Sequence, residues 1–295
     1  MKRYAFKKLD AFTTGASSGN PAGCILLDTP DAISKEDMQR IAYELGNFVS
    51  EVGYVWPTPG NEWSYELRYF SREREVNFCG HATVAIMHDL LRGSPNPRHA
   101  DTVSIKTRAG VLAVEDRIRE ENLVFIHAPE PQFLEVSTTS TEVAQALGLC
   151  EEALDRTCPI AFINAGLNTL LIPLRTLADC IGCRPDYGTL RGFCLDKRIE
   201  IITIFTFETS SQNTGVRTRV FAPAFGYLED PATGSGNAAL GYHLASTGRW
   251  HEPVLRVEQG PSRERPNIVT LKKTGSRIQI GGQSVCRLEG YYMLV

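Results

Sequence analysis

The sequence predicts an α+β protein of two similar domains with one site between them, and three observations carry that prediction. The chain has 295 residues, long for one compact core and comfortable for two of ordinary size. Two stretches, EVNFCGHATVA from Glu75 and EDPATGSGNAALGYHL from Glu229 to Leu244, each set a small, glycine-bearing turn before an apolar helical run. The elements leading to each stretch come in the same order: strand, small turn, strand, helix, strand, strand. The letters of the two halves are too different to align as a repeat, so the order of elements is what argues for two related domains with a shared site.

In the first half, Tyr4 to Phe12 alternates loosely enough for a strand, closed by the loop Thr13 to Gly19. GNPAGC, Gly19 to Cys24, permits a tight turn before the buried strand Ile25-Leu26-Leu27. Ser34 and Asp37 form a capping pair for a helix with Met38, Ile41, Ala42 and Leu45 on one face, and Gly46 stops it. Phe48 to Val55 is an apolar strand with the carboxylate of Glu51 in its middle. Trp63 to Phe70 alternates as a half-buried strand. The first signature helix runs from Thr83 to Arg92 and ends in the loop Gly93 to His99. Val103 to Lys106 and Gly110 to Asp116 make a hairpin turning at Arg108 to Gly110, and Leu123 to His127 adds a strand.

The second half opens with a linker-like stretch, Pro129 to Val136, and a helix from Ser140 to Leu149 capped by Ser140 or Thr141. Ala161 to Pro173 sets a small turn before an apolar strand, Ile199 to Phe207 is strongly β, and Gly215 to Phe221 alternates. The second signature helix follows, and Val269 to Ile280 and Arg287 to Val295 end the chain as strands. The expected domains are 1–117 and 118–284, with the last strand, 285–295, free to pack back on the first.

Composition narrows the function. Hydrophobic content of 42% and charged content of 22% are those of a soluble globular protein, and no segment has the apolar length to cross a bilayer. The N-terminus lacks an apolar signal region, which points to the cytoplasm. A net charge of -3 leaves no large basic face, so the expected partner is a small molecule and neither nucleic acid nor a membrane. Eight scattered cysteines do not suggest a disulfide framework; Cys180 and Cys183 form one CxxC, open to zinc or to ordinary thiols.

Several residues could carry chemistry. Glu51, among Phe48, Val49, Val52 and Tyr54, is either an outward-pointing edge residue or a desolvated acid whose raised pKa suits both taking and giving a proton. His81 either orients a substrate or is a helix-start histidine satisfied by the backbone. Asp230 is a second carboxylate, an N-cap, or a turn residue before Pro231. Gly80, Gly234 and Ser235 stand at helix starts, where amides can hold an anion. Neither a Walker loop nor a dinucleotide fingerprint is present. Glu73 and Glu75 fall in a charge-alternating run expected to be a solvated turn, and His243 is expected at a helix end or on the surface.

SGNPAGC, SEVGYV, EVNFCGHATVA and VFAPAFGYLEDPATGSGNAAL, in this order over nearly the whole chain, resemble the phenazine-biosynthesis PhzF family, which shares its fold with diaminopimelate epimerase and proline racemase. The resemblance implies two mirrored domains, each a β-barrel-like mixed sheet wrapped around a central helix, with a substrate cleft between them. It also implies a homodimer and an isomerase that moves a proton without a cofactor or metal. By resemblance Glu51 is the acid/base, and His81 and Asp230 assist it. Gly80, Gly234 and Ser235, flanked by Cys79 and Thr233, receive a small carboxylate-bearing substrate. The racemase relatives place one cysteine before each helix start. Here those positions are Cys79 and Thr233, and a threonine hydroxyl is too weak an acid to complete a symmetrical pair, so Cys79 is expected to pack under its helix. Epimerase or dehydratase chemistry through Cys79 is the alternative, and a non-catalytic binding module is a third reading. Loops 56–62 and 212–215 are expected to supply substrate-selecting side chains.

Overall fold

The computed structural model describes residues 1–58, 65–93 and 101–295. Trp63 and Ser64 of the expected fourth strand, residues 94–99 of the loop after the first signature helix, and 59–62 of the first loop expected to select substrate lie outside the described residues. The chain folds into two compact units, Met1–His127 with Gly281–Val295, and Ala128–Ile280.

The first unit contains β1 (Lys2–Ala11), β2 (Asn20–Leu26), α1 (Lys35–Leu45), β3 (Glu51–Pro57), β4 (Tyr65–Ser71), β5 (Glu75–Val76), α2 (Gly80–Gly93), β6 (Thr102–Thr107), β7 (Gly110–Arg117), α3 (Ile118–Glu121) and β8 (Leu123–His127), joined by β18 (Ser284–Leu294). β18 and β2 flank β1 antiparallel, β2 and β3 are parallel, and β3 and β4 antiparallel. β4 continues parallel to β6, and β6, β7 and β8 finish antiparallel. This mixed sheet wraps α2, which packs on β1, β2, β3, β8 and β18. Gly53 exists for that packing: a Cβ there would lie 2.2 Å from Ile86 Cδ1. On the other face of the sheet α1 buries Met38 and Ile41 against Ile25, Val52, Tyr54 and Phe70. Covered on both faces, β3 is buried from Val52 to Trp56, which explains why its sequence is apolar throughout and does not alternate.

The second unit contains β9 (Gln132–Leu134), α4 (Ser140–Leu147), β10 (Ala161–Asn164), β11 (Asn168–Pro173), α5 (Leu177–Gly182), α6 (Tyr187–Asp196), β12 (Ile201–Thr206), β13 (Val216–Phe221), β14 (Glu229–Asp230), α7 (Gly234–Ser246), β15 (Val254–Gln259), β16 (Asn267–Thr274) and most of β17 (Arg277–Gly282), whose last two residues belong to the first unit. Its pairings repeat those of the first unit: β10 and β11 antiparallel, β11 and β12 parallel, β12 and β13 antiparallel, β13 and β15 parallel, β15 and β16 antiparallel. α7 takes the place of α2, buried from Gly236 to Leu244 against β10, β11, β12 and β16. The two signatures therefore start equivalent central helices, and the register makes the correspondence residue by residue. Phe70 faces Glu75 as Phe221 faces Glu229, so Cys79 corresponds to Thr233 and His81 to Ser235. Ala22 faces Glu51 as Thr169 faces Ile201.

Gly46 ends α1 as expected, in a right-handed helical conformation; what demands glycine is Arg72, whose side chain would lie 2.7 Å from a Cβ. Other local expectations are corrected. The cap of α4 is Thr139, one residue earlier than expected, in a capping box with Glu142. β3 begins at Glu51 and excludes Phe48, which is 42% exposed. β15, α5 and α6 had no counterpart in the pattern reading. Cys180 and Cys183 are buried in the core between α4, α6 and the sheet, thiols packed as apolar groups.

Candidate active site

In the first unit, the start of β3 and the start of α2 bring Glu51, Cys79 and His81 together. Glu51 is the first residue of its strand, with its side chain 22% exposed, so it stands at a strand end and is not enclosed mid-strand. Its Oε2 lies 3.3 Å from His81 Nε2. On the other side of the imidazole, Nδ1 lies 3.4 Å from Cys79 Sγ. The three donor atoms fall within 4.8 Å of one another. The ring presents a different nitrogen to each neighbour: Nδ1 makes a hydrogen bond with Cys79 Sγ, while Nε2 and Glu51 Oε2 face each other without meeting hydrogen-bond geometry. Burial pushes His81 down to about 4, against a hydrogen bond to Pro21 that acts the other way, so the ring is neutral at physiological pH. The turn itself is anchored by Thr83, whose N–H and hydroxyl both donate to the Cys79 carbonyl at 3.0 and 2.7 Å. Tyr69 in turn meets the Thr83 hydroxyl at 2.6 Å.

In the second unit, Asp230 lies half-buried in β14. Thr233, the residue before α7, makes no side-chain cap; its hydroxyl donates instead to Asp230 Oδ2. Gln259, fully buried on β15, ties this turn together. Its Oε1 accepts from Thr233 N–H at 3.0 Å and Asn237 Nδ2 at 2.7 Å, and its Nε2 donates to the Asp230 carbonyl at 2.9 Å and Thr233 Oγ1 at 3.1 Å. Asn237 also donates to the Thr233 carbonyl at 2.8 Å, the role Thr83 plays in the first unit. Asn267 donates to the Pro231 carbonyl at 2.7 Å. Gln259 and Asn267 were missed from sequence, where a lone amide far from the motif carries no signal.

Glycine at the two helix starts is not demanded by packing. A Cβ on Gly80 would meet nothing nearer than 3.9 Å, and one on Gly234 only Ile280 at 3.6 Å. Gly236, one residue past Ser235, is different: a Cβ there would stand 2.9 Å from Thr203 Oγ1.

The carboxylates beside the motifs are structural. Arg219 grips Glu229 with Nε and Nη2 at 2.9 and 2.8 Å, and Arg68 holds Glu75 at 2.7 Å, the same pair in the other unit. Glu75 is therefore a paired, mostly buried carboxylate, where a solvated turn was expected; only Glu73 is exposed. His243 lies in the last turn of α7 as expected, but it is 3% exposed, packed beside Cys158, and is not a surface residue. Loop 212–215, expected to help select substrate, is tied down by Glu258, which accepts from Ser210 and Ser211 N–H and the Thr214 hydroxyl while paired with buried Arg217 at 3.0 Å.

A family model described as phenazine biosynthesis-like protein matches residues 9–290. The chain belongs to the PhzF family. It is 31% identical to an uncharacterized isomerase, YfhB, of Bacillus subtilis, over 95% of this chain and 94% of that one. It is 28% identical to the trans-2,3-dihydro-3-hydroxyanthranilate isomerase of Pseudomonas chlororaphis, over 94% and 95%. A PhzF-family crystal structure from Bacillus anthracis superposes with a TM-score of 0.87 at 27% identity, covering 100% of both chains. The protein is an isomerase of this family, and its mixed α+β fold is shared with proline-racemase-like enzymes. Among the described residues no helix is long and apolar enough to cross a membrane.

Proposed function

We propose that this isomerase moves a proton on a small carboxylate-bearing substrate, with Glu51 removing it from one carbon and returning it to another, and with no cofactor. The observation that carries the reading is the asymmetry of equivalent positions. The first unit has Glu51, Cys79 and His81 where the second has Ile201, Thr233 and Ser235. One unit therefore supplies the proton-transfer group, which suits a single acid/base and not a symmetrical two-base racemase. In this reading ionised Glu51 takes a proton from an acidified C–H, and the carbanion charge spreads into the substrate. The neutral His81 ring donates a hydrogen bond without competing for the proton. The amides at Gly80 in the first unit, and at Gly234 and Ser235 with the Ser235 hydroxyl in the second, each stand at a helix start suited to a substrate carboxylate; the absence of any packing need for glycine at 80 and 234 supports a close approach of substrate to backbone there. Asp230, aligned by Thr233, orients the substrate's polar groups. The family resemblance adds a homodimer working in the cytoplasm.

The relative named for trans-2,3-dihydro-3-hydroxyanthranilate provides the test compound. Incubating it with the wild-type enzyme in deuterium oxide should give isomerised product carrying solvent deuterium, and Glu51→Gln should abolish this while circular dichroism shows an unchanged fold. Undiminished turnover by Glu51→Gln would refute the assignment of Glu51; no turnover by the wild type would refute this substrate.

A further inference from the structure

The thiol of Cys79 has no part in the chemistry above, yet its position is too specific for filler. It is buried, 9% exposed, and held by the two hydrogen bonds from Thr83 to its carbonyl, with Sγ 3.4 Å from His81 Nδ1. The other ring nitrogen, Nε2, faces the Glu51 carboxylate at 3.3 Å. A carboxylate oxygen can only accept, so a ring hydrogen on Nε2 suits the neighbouring Glu51 better than a lone pair would, although the two atoms do not meet hydrogen-bond geometry as they stand; Nδ1 is then left with a lone pair that needs a donor. The Cys79 S–H is in place to be that donor.

We propose that Cys79 is a positioning residue: its thiol donates to Nδ1 of His81 and so locks the imidazole in the tautomer whose Nε2–H is directed at Glu51. The second unit offers an independent parallel. There the equivalent residue, Thr233, gives its hydroxyl proton to Asp230. In each unit the side chain just before the central helix donates to that unit's candidate functional group, although one is a thiol and the other a hydroxyl. The consequence for Glu51 is direct. An Nε2–H favours the ionised carboxylate and aims it, whereas the opposite tautomer would set a lone pair against the carboxylate and drive it toward the protonated form. The proposal deepens the reading of Glu51 as the acid/base, but its test does not depend on turnover.

The test is a long-range proton–nitrogen correlation spectrum of enzyme carrying isotopically labelled histidine, near neutral pH, with the His81 signals assigned by their loss in His81→Gln. The wild type should show His81 as a single neutral tautomer protonated at Nε2. Cys79→Ala should lose that preference and show protonation at Nδ1 as well, and Cys79→Ser, which keeps a donor, should retain the wild-type pattern. Protonation at Nδ1 in the wild-type spectrum overturns the proposal without recourse to any variant. So does a Cys79→Ala spectrum identical to the wild type, or a Cys79→Ser spectrum that matches Cys79→Ala.

Discussion

Replacing Gln259 by leucine tests whether the second signature is shaped by one buried amide. The side chain is 0% exposed and makes four hydrogen bonds, all to the turn from Asp230 to Asn237. Leucine has about the same volume and no polar atoms. Thr233 N–H would be stranded in the interior, at a cost of about 1–3 kcal/mol, and Asn237 would keep one of its two donor contacts. The lost bonds to the Asp230 carbonyl and Thr233 Oγ1 bring the expected loss to roughly 2–5 kcal/mol. Urea unfolding measures it, with the m-value compared so that a changed denatured state is not mistaken for lost stability. A second unfolding step is expected where the two units come apart independently, and the shift should fall on the step belonging to Ala128–Ile280. A Gln259→Leu protein within about 0.5 kcal/mol of wild type would show that the network is incidental.

Two further outcomes follow from the same geometry. His81 sits at about 4 in the fold against roughly 6.5 in the unfolded chain, so between those values the unfolded state binds more protons. Its contribution is complete above about pH 6.5 and is lost as pH falls toward about 4, a difference of roughly 3 kcal/mol that His81→Gln should remove; parallel acid-unfolding curves for the two proteins would refute it. Among glycines, Gly236→Ala should destabilise by about 1–3 kcal/mol because Thr203 Oγ1 stands 2.9 Å from the new Cβ, while Gly192→Ala, in α6 with nothing within 4 Å, should stabilise by about 0.5–1 kcal/mol. Thermal unfolding of the two variants should move in opposite directions, and movement in one direction would contradict the packing described for α7.

The repeated order of elements was legible because each unit obeys the same constraint: a helix buried all round must be apolar all round, and the turn that starts it must be small. Ser34, Met38 and Ile41 declared α1 by capping and spacing. The candidate residues of both signatures were visible as motif letters, and the structure brings Glu51, Cys79 and His81 within reach of one another in one unit and Asp230 and Thr233 in the other. What sequence could not reveal was polar burial. Gln259, Asn267 and the Arg217–Glu258 pair look like surface residues to any pattern of hydropathy, since their burial is compensated by partners far along the chain. β15 was hidden for that reason, with buried Glu258 and Gln259 at its end and exposed Arg256 breaking its apolar run. Glu51 was misplaced from strand middle to strand end because Phe48 and Val49 look like strand residues, whereas Phe48 is exposed and outside β3.

The most direct measurement is solvent exchange at the substrate carbon, followed by mass spectrometry in deuterium oxide for wild type and Glu51→Gln side by side. A general acid/base of this kind is worth about 10²–10⁴-fold in rate. The account predicts deuterium in the product of the wild type and a loss of at least that size in Glu51→Gln. Deuterium incorporation at the wild-type rate in Glu51→Gln would contradict it.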